Sequence, residues 1–195
     1  MAPGSAAADR PPDADRRPLV LALGDSITAA ADWAAHLPGV DVVNAGVPGD
    51  VVQGVLRRLP ATLAGLGGRR PDAVVVLAGT NDLGFGGRTP AQVVGDLRAL
   101  CTRVRTELPA AAVVLQSVMP RTAAFAPTIG QVNAGLAALA AERGLVWVDL
   151  WPALADARGR LRTGFTRDGL HLTERAEEAW FAVLAEALRP VLDAR

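Results

Sequence analysis

Short apolar runs alternate along the chain with longer stretches in which apolar residues recur every three or four positions. The five apolar runs predict β-strands, because strands covered on both faces carry apolar residues at nearly every position. These runs occupy residues 18–24, 41–46, 72–79, 111–118 and 145–150. The intervening stretches are typical of amphipathic helices. They occupy residues 27–37, 51–66, 91–108, 127–144 and 173–194.

End signals support several of these helices. Asp50 is a suitable N-cap for the second helix, and Pro60 within it is expected to cause a kink or a break. Thr89 and Pro90 supply an N-cap and a first helical residue for the third helix. Gly144 closes the fourth helical stretch, at the position where glycine commonly ends a helix.

Strands that alternate with helices predict an α/β protein with a parallel sheet between two layers of helices. For five such strands we expect right-handed crossovers and the flavodoxin-like order 2-1-3-4-5. The length of 195 residues suits one domain. We assign residues 18–195 to this domain and expect residues 1–17, which contain Pro, Ala and Asp, to form a disordered tail.

Charge and composition argue against several classes of function. Twenty basic and twenty acidic residues cancel, so no basic face predicts a nucleic-acid partner or a membrane surface. No segment approaches the roughly 18 unbroken apolar residues of a membrane span, and the first residues lack the apolar core of a signal peptide. Cys101 is the only cysteine, which excludes an intrachain disulfide. We therefore expect a cytoplasmic protein without a membrane span, and its oligomeric state stays open.

Polar residues and glycines follow the ends of the predicted strands. The first strand ends in Gly24-Asp25-Ser26, the second in Asn44-Ala45-Gly46 and the third in Gly79-Thr80-Asn81-Asp82. Asp168 and His171 follow the fifth strand. Open parallel sheets bind ligands beyond the carboxyl ends of their strands, so we expect these residues to meet at one edge.

Ser26, His171 and Asp168 provide the residue types of a catalytic triad. A serine hydroxyl becomes an effective nucleophile when a base removes its proton. The only other histidine, His36, lies within a predicted helix and has no acid close by in the sequence. Asp168 precedes His171 by three residues, so one turn can present both, and the acid can fix the tautomer of the imidazole. The alternative role for Ser26 is that of an N-cap for the following helix.

Acyl transfer also needs hydrogen-bond donors for a developing oxyanion. The Ser26 N–H is one candidate, because it lies where a helix begins. Gly46 can offer its N–H without a side chain in the way, and Asn81 can offer its side-chain NH₂. The local alternatives are that Gly46 only ends a strand and that Asn81 only completes a turn. Asp25 is expected to accept hydrogen bonds from loop N–H groups rather than to act as the triad acid.

The segments GDSIT, NAG, GTND and DGLH occur in this order between residues 24 and 171. They resemble the four sequence blocks of the SGNH hydrolases, also called GDSL-type esterases and lipases. The resemblance implies a flavodoxin-like α/β/α fold, with Ser26 as nucleophile, His171 as base and Asp168 as its acid. It implies an oxyanion hole formed by the Ser26 N–H, the Gly46 N–H and the Asn81 side chain. It further implies that no metal or organic cofactor takes part and that substrates are esters, thioesters or acetylated sugars.

One block departs from the family pattern. After Gly46 many relatives have a Ser-Gly pair, whereas this chain has Val47-Pro48-Gly49-Asp50, in which Pro48 stiffens the loop. The loops beyond the strands are short, so we expect an open, shallow site for short acyl groups such as acetyl. Arg121 and Phe125, after the fourth strand, are candidates for contact with the leaving group of the substrate.

The sequence thus predicts a serine esterase that acts on a small ester or an acetylated sugar through an acyl-enzyme. Thioesterase and acyltransferase activities stay open within the enzyme class. One alternative is an inactive carbohydrate-binding or scaffold module, against which the intact Ser26, Asn81, Asp168 and His171 argue. The other is a flavodoxin-like nucleotide or phosphate binder, but no phosphate-binding glycine pattern follows the first strand.

Overall fold

Five parallel strands form the centre of the structure, a computed structural model that describes residues 16–194. The strands are β1 (Leu19–Gly24), β2 (Asp41–Gly46), β3 (Ala73–Leu77), β4 (Ala112–Gln116) and β5 (Val146–Val148). Their order in the sheet is β2-β1-β3-β4-β5, which confirms the prediction. In register, Gly24 at the end of β1 lies beside Gly46 of β2 and Leu77 of β3. The carboxyl ends of these strands therefore meet at one edge.

Eight α-helices connect and follow the strands within residues 16–194. They are α1 (Ser26–Ala30), α2 (Trp33–His36), α3 (Val52–Ala64), α4 (Thr80–Gly84), α5 (Pro90–Glu107), α6 (Ala126–Arg143), α7 (Trp151–Leu154) and α8 (Glu174–Asp193). A 3-10 turn at Ala123–Phe125 leads into α6. Helices α3, α5 and α6 contribute to the core on one face of the sheet, and α2, α7 and α8 contribute to the core on the other.

Each face of the sheet has its own apolar core, because side chains alternate between the two faces of a strand. Val20 of β1 packs in the same core as Trp180 of α8, whereas Leu21 packs in the opposite core with Leu97 of α5. Trp180 is fully buried, and its indole N–H donates a 2.6 Å hydrogen bond to Oε1 of Gln116 at the end of β4. This bond ties α8, and with it the segment that precedes α8, to the sheet.

Two of the predicted helix ends agree with the structure. Thr89 caps α5, and its side chain and that of Gln92 form a reciprocal capping box. Gly144 ends α6 in the left-handed conformation, with φ of 61°. Both signals act within a few residues of chain, which is why the sequence alone reveals them.

Two helices differ from their predictions. The predicted helix over residues 27–37 is divided into α1 and α2, because the Asp32 carboxylate accepts a hydrogen bond from the Ala35 N–H and starts a second helix. Helix α3 begins one residue after Val51 and runs through Pro60 without a break. Asp50 does not cap α3; it pairs with Arg58, with Oδ2 2.7 Å from Nε.

The predicted N-terminal tail, residues 1–17, lies largely outside the described residues. Arg16 is described, and its guanidinium donates hydrogen bonds of 2.9 and 2.6 Å to the Asp72 carboxylate. The disorder expected for residues 1–15 and the assignment of residues 18–195 to one domain stay predictions.

One helical segment is long and apolar enough to span a membrane, by length and composition alone. It covers Ala123–Arg143 and has a mean hydropathy of 1.2. Ile129, Val132 and Leu136 of this segment are fully buried in the core on the sheet. An apolar helix face that packs on a sheet is typical of a core helix.

Candidate active site

Gly24-Asp25-Ser26 forms a tight junction between β1 and α1. A Cβ atom at Gly24 would overlap the Thr28 hydroxyl, so only glycine fits there. Asp25 is the N-cap of α1, and its Oδ1 accepts a 3.0 Å hydrogen bond from the Ile27 N–H. Ser26 is the first residue of the helix and is partly exposed. The interpretation of Ser26 as the cap is therefore wrong, and its hydroxyl is available at the sheet edge.

Ser26, His171 and Asp168 form a continuous chain of contacts. The Ser26 Oγ lies 3.0 Å from Nε2 of His171, and Nδ1 of His171 lies 2.6 Å from Oδ2 of Asp168. A carboxylate can only accept a hydrogen bond, so Nδ1 carries the proton in the second contact. Nε2 is then left to accept the proton of the serine hydroxyl, as a base that activates a nucleophile must.

The Asp168 carboxylate is held in place by hydrogen-bond donors of the surrounding loop. Its Oδ1 accepts hydrogen bonds from the N–H groups of Leu170 and His171, at 2.9 and 2.8 Å. The Thr166 hydroxyl also donates to Oδ1, at 3.2 Å. The hydrogen bond with the His171 side chain, followed by these backbone donors, holds the pKa of Asp168 well below its usual range. Oδ2 is thus left for the imidazole, and the carboxylate is ionised at neutral pH.

Asp25 is adjacent to Ser26 but points into the protein. Its side chain is buried, with 1% of the residue exposed, and its bond to Ile27 confirms the predicted structural role. Burial raises the pKa of Asp25 to about 6, although the Ile27 N–H and the charge of His171 act in the opposite direction. A buried carboxyl group thus lies next to the nucleophile and outside the chain of contacts.

The structure corrects the role predicted for Gly46. Its N–H already donates a 2.9 Å hydrogen bond to Oδ1 of Asn44, two residues earlier in β2. A Cβ atom at Gly46 would overlap the Ala29 nitrogen and would lie 2.7 Å from the Ala29 Cα. Gly46 is therefore a glycine because α1 packs directly against the end of β2, and its N–H is not available to an oxyanion.

Asn81 lies in the first turn of α4 and is 5% exposed. Its Nδ2 donates a 2.9 Å hydrogen bond to the carbonyl of Asp50 in the loop after β2. An amide NH₂ has two N–H groups, so one of them remains for a ligand. The structure thus brings Asn81 together with this loop, although its predicted role as an oxyanion donor stays a prediction.

Gly49 is a donor in this loop that sequence reasoning missed. Val47 to Asp50 form a tight turn in which the Asp50 N–H donates to the Val47 carbonyl at 3.1 Å. Gly49 has a φ of 77°, which favours glycine, and it is exposed. Within residues 16–194 no protein acceptor binds the Gly49 N–H. The signal in the sequence was the Pro48-Gly49 turn, which stands where many relatives have a Ser-Gly pair.

Arg121 and Phe125 contact each other at the same edge of the sheet. The Arg121 Cζ lies 4.1 Å from the centre of the Phe125 ring. Nη1 of Arg121 donates a 3.0 Å hydrogen bond to the carbonyl of Thr80, the residue before Asn81. Their contact with a substrate stays a prediction.

Two other reactive side chains are engaged elsewhere. The His36 ring stacks on Phe181 of α8 at 4.5 Å, and its Nε2 lies 3.7 Å from Oε2 of Glu177. An acid therefore does accompany His36, although it is distant in the sequence. Cys101 is buried in α5, and burial raises the pKa of its thiol to about 12, which makes a reactive thiolate unfavourable.

The part of the chain that the structure describes holds no group of three or more His, Cys, Asp or Glu side chains that could bind a metal ion. The prediction that no metal or cofactor takes part stays a prediction.

Sequence comparison relates the chain to known hydrolases. Residues 22–179 match the GDSL-like Lipase/Acylhydrolase family. Over 102 residues the chain is 39% identical to Esterase TesA of Pseudomonas aeruginosa, a match that covers 45% of this chain and 49% of that protein. Over 167 residues it is 32% identical to platelet-activating factor acetylhydrolase IB subunit alpha1 of Homo sapiens, covering 82% of this chain and 70% of that subunit. The matched segment thus spans about half of the first relative and more of the second.

Solved structures are similar over most of the chain. A crystal structure of TesA has a TM-score of 0.73 and 29% sequence identity, and the match covers 89% of this chain and 99% of that one. A GDSL-like lipase from Bacteroides thetaiotaomicron also has a TM-score of 0.73, with 23% identity and coverage of 90% and 89%. The second similarity concerns the fold alone.

Proposed function

This chain belongs to the GDSL-like lipase/acylhydrolase family of carboxylic ester hydrolases, and we propose that it is a serine esterase that removes short acyl groups such as acetyl. The observation that carries the proposal is the chain of contacts from the Ser26 hydroxyl through His171 to Asp168. The names of the relatives, an esterase and an acetylhydrolase, support the same class of reaction.

The proposed reaction has two halves that use the same groups. His171 Nε2 takes the proton of Ser26, and Oγ attacks the ester carbonyl to give a tetrahedral intermediate. The imidazolium then gives this proton to the leaving alkoxide, and the acyl group stays on Oγ. Water, deprotonated by the same imidazole, attacks the acyl-enzyme and releases the acid. Asp168 stays ionised throughout and stabilises the imidazolium.

Three donors are proposed for the oxyanion of each tetrahedral intermediate. They are the N–H groups of Ser26 and Gly49 and the second N–H of the Asn81 side chain. The hydrogen bond from Asn81 to the Asp50 carbonyl holds this amide next to the loop that carries Gly49. Donors that are fixed before the reaction cost no reorganisation when the charge develops.

The openness of the site supports a short acyl group. The side chains of His171 and Asp168 are 50% and 53% exposed. Among residues 16–194 the large hydrophobic residues that are exposed are Val47 and Phe85. This small apolar surface suits an acetyl group better than a long chain.

The proposal is tested with p-nitrophenyl esters of increasing acyl length. We expect kcat/KM to be highest for acetate and to fall with chain length, and Ser26→Ala to abolish turnover of every ester. Thr163→Ala, which removes an exposed hydroxyl without a hydrogen-bond partner in the described residues, is the matched control and should keep full activity. Turnover that survives in Ser26→Ala would contradict the proposal, and a rise of kcat/KM with chain length would contradict the short-acyl preference.

A further inference from the structure

The guanidinium of Arg121 is fixed at the edge of the sheet by three neighbours. Nη1 donates to the Thr80 carbonyl at 3.0 Å, and Cζ lies over the Phe125 ring, 4.1 Å from its centre. A Cβ atom at position 84 would lie 2.8 Å from Nη1, so the glycine there leaves room for the guanidinium. The positive charge therefore has a defined position against α4, the helix that carries Asn81.

The backbone around Arg121 also contacts the loop of Asp168 and His171. The Arg121 carbonyl accepts a 3.0 Å hydrogen bond from the Leu161 N–H. The next residue, Thr122, abuts Gly169, where a Cβ atom would lie 2.8 Å from the Thr122 Cγ2. Arg121 is thus placed between the helix of the proposed amide donor and the loop of the proposed base.

The charge of Arg121 has no ion-pair partner among residues 16–194. Its Nε is buried and lacks a hydrogen-bond partner there. Burial lowers the pKa of Arg121, although the carboxylates of Asp168 and Asp25 favour the charged form. A partly desolvated charge without a partner is costly, and an anion from outside would offset this cost.

We propose that Arg121 binds an oxyanion, a carboxylate or a phosphate, carried by the leaving group of the ester. The inference rests on the esterase function proposed above. A guanidinium has five N–H groups in a planar fork that matches such oxyanions, and one of them is used by Thr80. The leaving alcohol must depart beside His171, which returns the proton to it. Thr122, the residue after Arg121, abuts Gly169 in the loop that carries His171, so Arg121 lies on the side of the leaving group. Arg121 is therefore a specificity-determining residue.

The test compares 4-acetoxybenzoate with 4-acetoxybenzamide, whose leaving groups have nearly the same shape and differ in charge. The wild-type protein should have a kcat/KM about tenfold higher for the anionic ester, as expected of a charge-assisted hydrogen bond that is partly exposed. Arg121→Gln should abolish this preference, so kcat/KM should fall about tenfold more for the anionic ester than for the neutral ester. Arg158→Gln removes an exposed charge from a neighbouring loop and should leave the preference intact.

A second measurement, the salt dependence of the preference, uses the wild-type protein and so does not depend on the folding of a variant. The preference of the wild-type protein for the anionic ester should shrink as salt is added, because salt screens a partly exposed ion pair. Arg121→Lys keeps the charge but loses the fork, so it should retain only part of the preference.

Several results would overturn the inference. A wild-type protein without preference would contradict it, and so would equal losses on both esters in Arg121→Gln, which would indicate a role in the catalytic machinery. A loss confined to p-nitrophenyl hemisuccinate, whose anion lies on the acyl side, would refute the assignment to the leaving group. Failure of the wild-type protein to hydrolyse either ester would remove the proposed function, and the inference with it.

Discussion

The buried carboxyl group of Asp25 should make the protein less stable at neutral pH than a variant with an uncharged side chain at this position. Asp25 is 1% exposed, and burial raises its pKa from the ordinary 3.8 to about 6. Between these two values the folded protein binds more protons at this site than the unfolded chain does. Stability contributed by the site therefore falls as the pH rises through this window and stays low above it.

The size of the effect follows from the same two values. One pH unit corresponds to about 1.4 kcal/mol, so a rise of the pKa from 3.8 to about 6 amounts to about 3 kcal/mol above the window. Asp25→Asn removes the charge and keeps a side-chain oxygen for the Ile27 N–H. We expect the variant to unfold with a free energy up to about 3 kcal/mol above that of the wild type at about pH 7.5.

Urea denaturation at several pH values measures this effect. The difference between variant and wild type cancels the other titrating groups, and most of the gain should disappear near about pH 4. Asp32→Asn is the matched control, because Asp32 is also a helix N-cap, that of α2, but is exposed. A gain that is the same at both pH values, or a loss of stability at neutral pH, would refute the reasoning.

Three further predictions concern the site and its support. Asp168→Asn should lower kcat/KM for p-nitrophenyl acetate by roughly 10³–10⁴-fold, because the amide no longer fixes the imidazole tautomer; an activity near that of the wild type would contradict its role. Gly46→Ala should destabilise the protein by about 1–3 kcal/mol, since the new methyl group meets the Ala29 backbone; thermal unfolding measures this, and an unchanged Tm would contradict the packing. Trp180→Phe should cost about 1–3 kcal/mol in urea denaturation, because Gln116 loses the donor to its buried Oε1; a smaller loss would mean that this bond contributes little.

Strands β1, β3 and β4 were predictable because they are buried on both faces. The edge strand β2 is only partly buried, but it also begins and ends at the predicted residues, Asp41–Gly46. The order of the strands follows from the general behaviour of open parallel sheets. In contrast, the four-residue segment GTND suggests a turn, and helix α4 (Thr80–Gly84) forms there because it is held by contacts with other elements, such as the bond from Asn81 to Asp50.

Contacts between distant residues explain what the sequence did not reveal. The break between α1 and α2 involves Glu177 of α8, whose carboxylate accepts a 3.3 Å hydrogen bond from the Asp32 N–H. The same carboxylate lies near His36, for which the local sequence shows no acid. No pattern within either helix contains this information.

The predicted site differs from the structure in one donor. Ser26, Asp168 and His171 could be grouped from residue types and spacing, and the structure brings them into contact. A sequence shows that Gly46 lacks a side chain, but it does not show that the N–H of Gly46 is already bound to Asn44. The neighbouring Gly49 has an unused N–H because a turn exposes it, and that turn is tied to distant residues by the Val47 N–H, which donates to the Gly24 carbonyl, and by the Asp50 carbonyl, which accepts from Asn81.

Covalent labelling of Ser26 with a fluorophosphonate, followed by mass spectrometry, tests the central claim most directly. The reagent phosphonylates a serine only when a base activates its hydroxyl, so it reports on the contact between Ser26 and His171. We predict one adduct on the peptide that contains Ser26 in the wild-type protein, none in Ser26→Ala, and a greatly slowed reaction in His171→Ala. An unlabelled wild-type protein, or equal labelling in His171→Ala, would contradict the account.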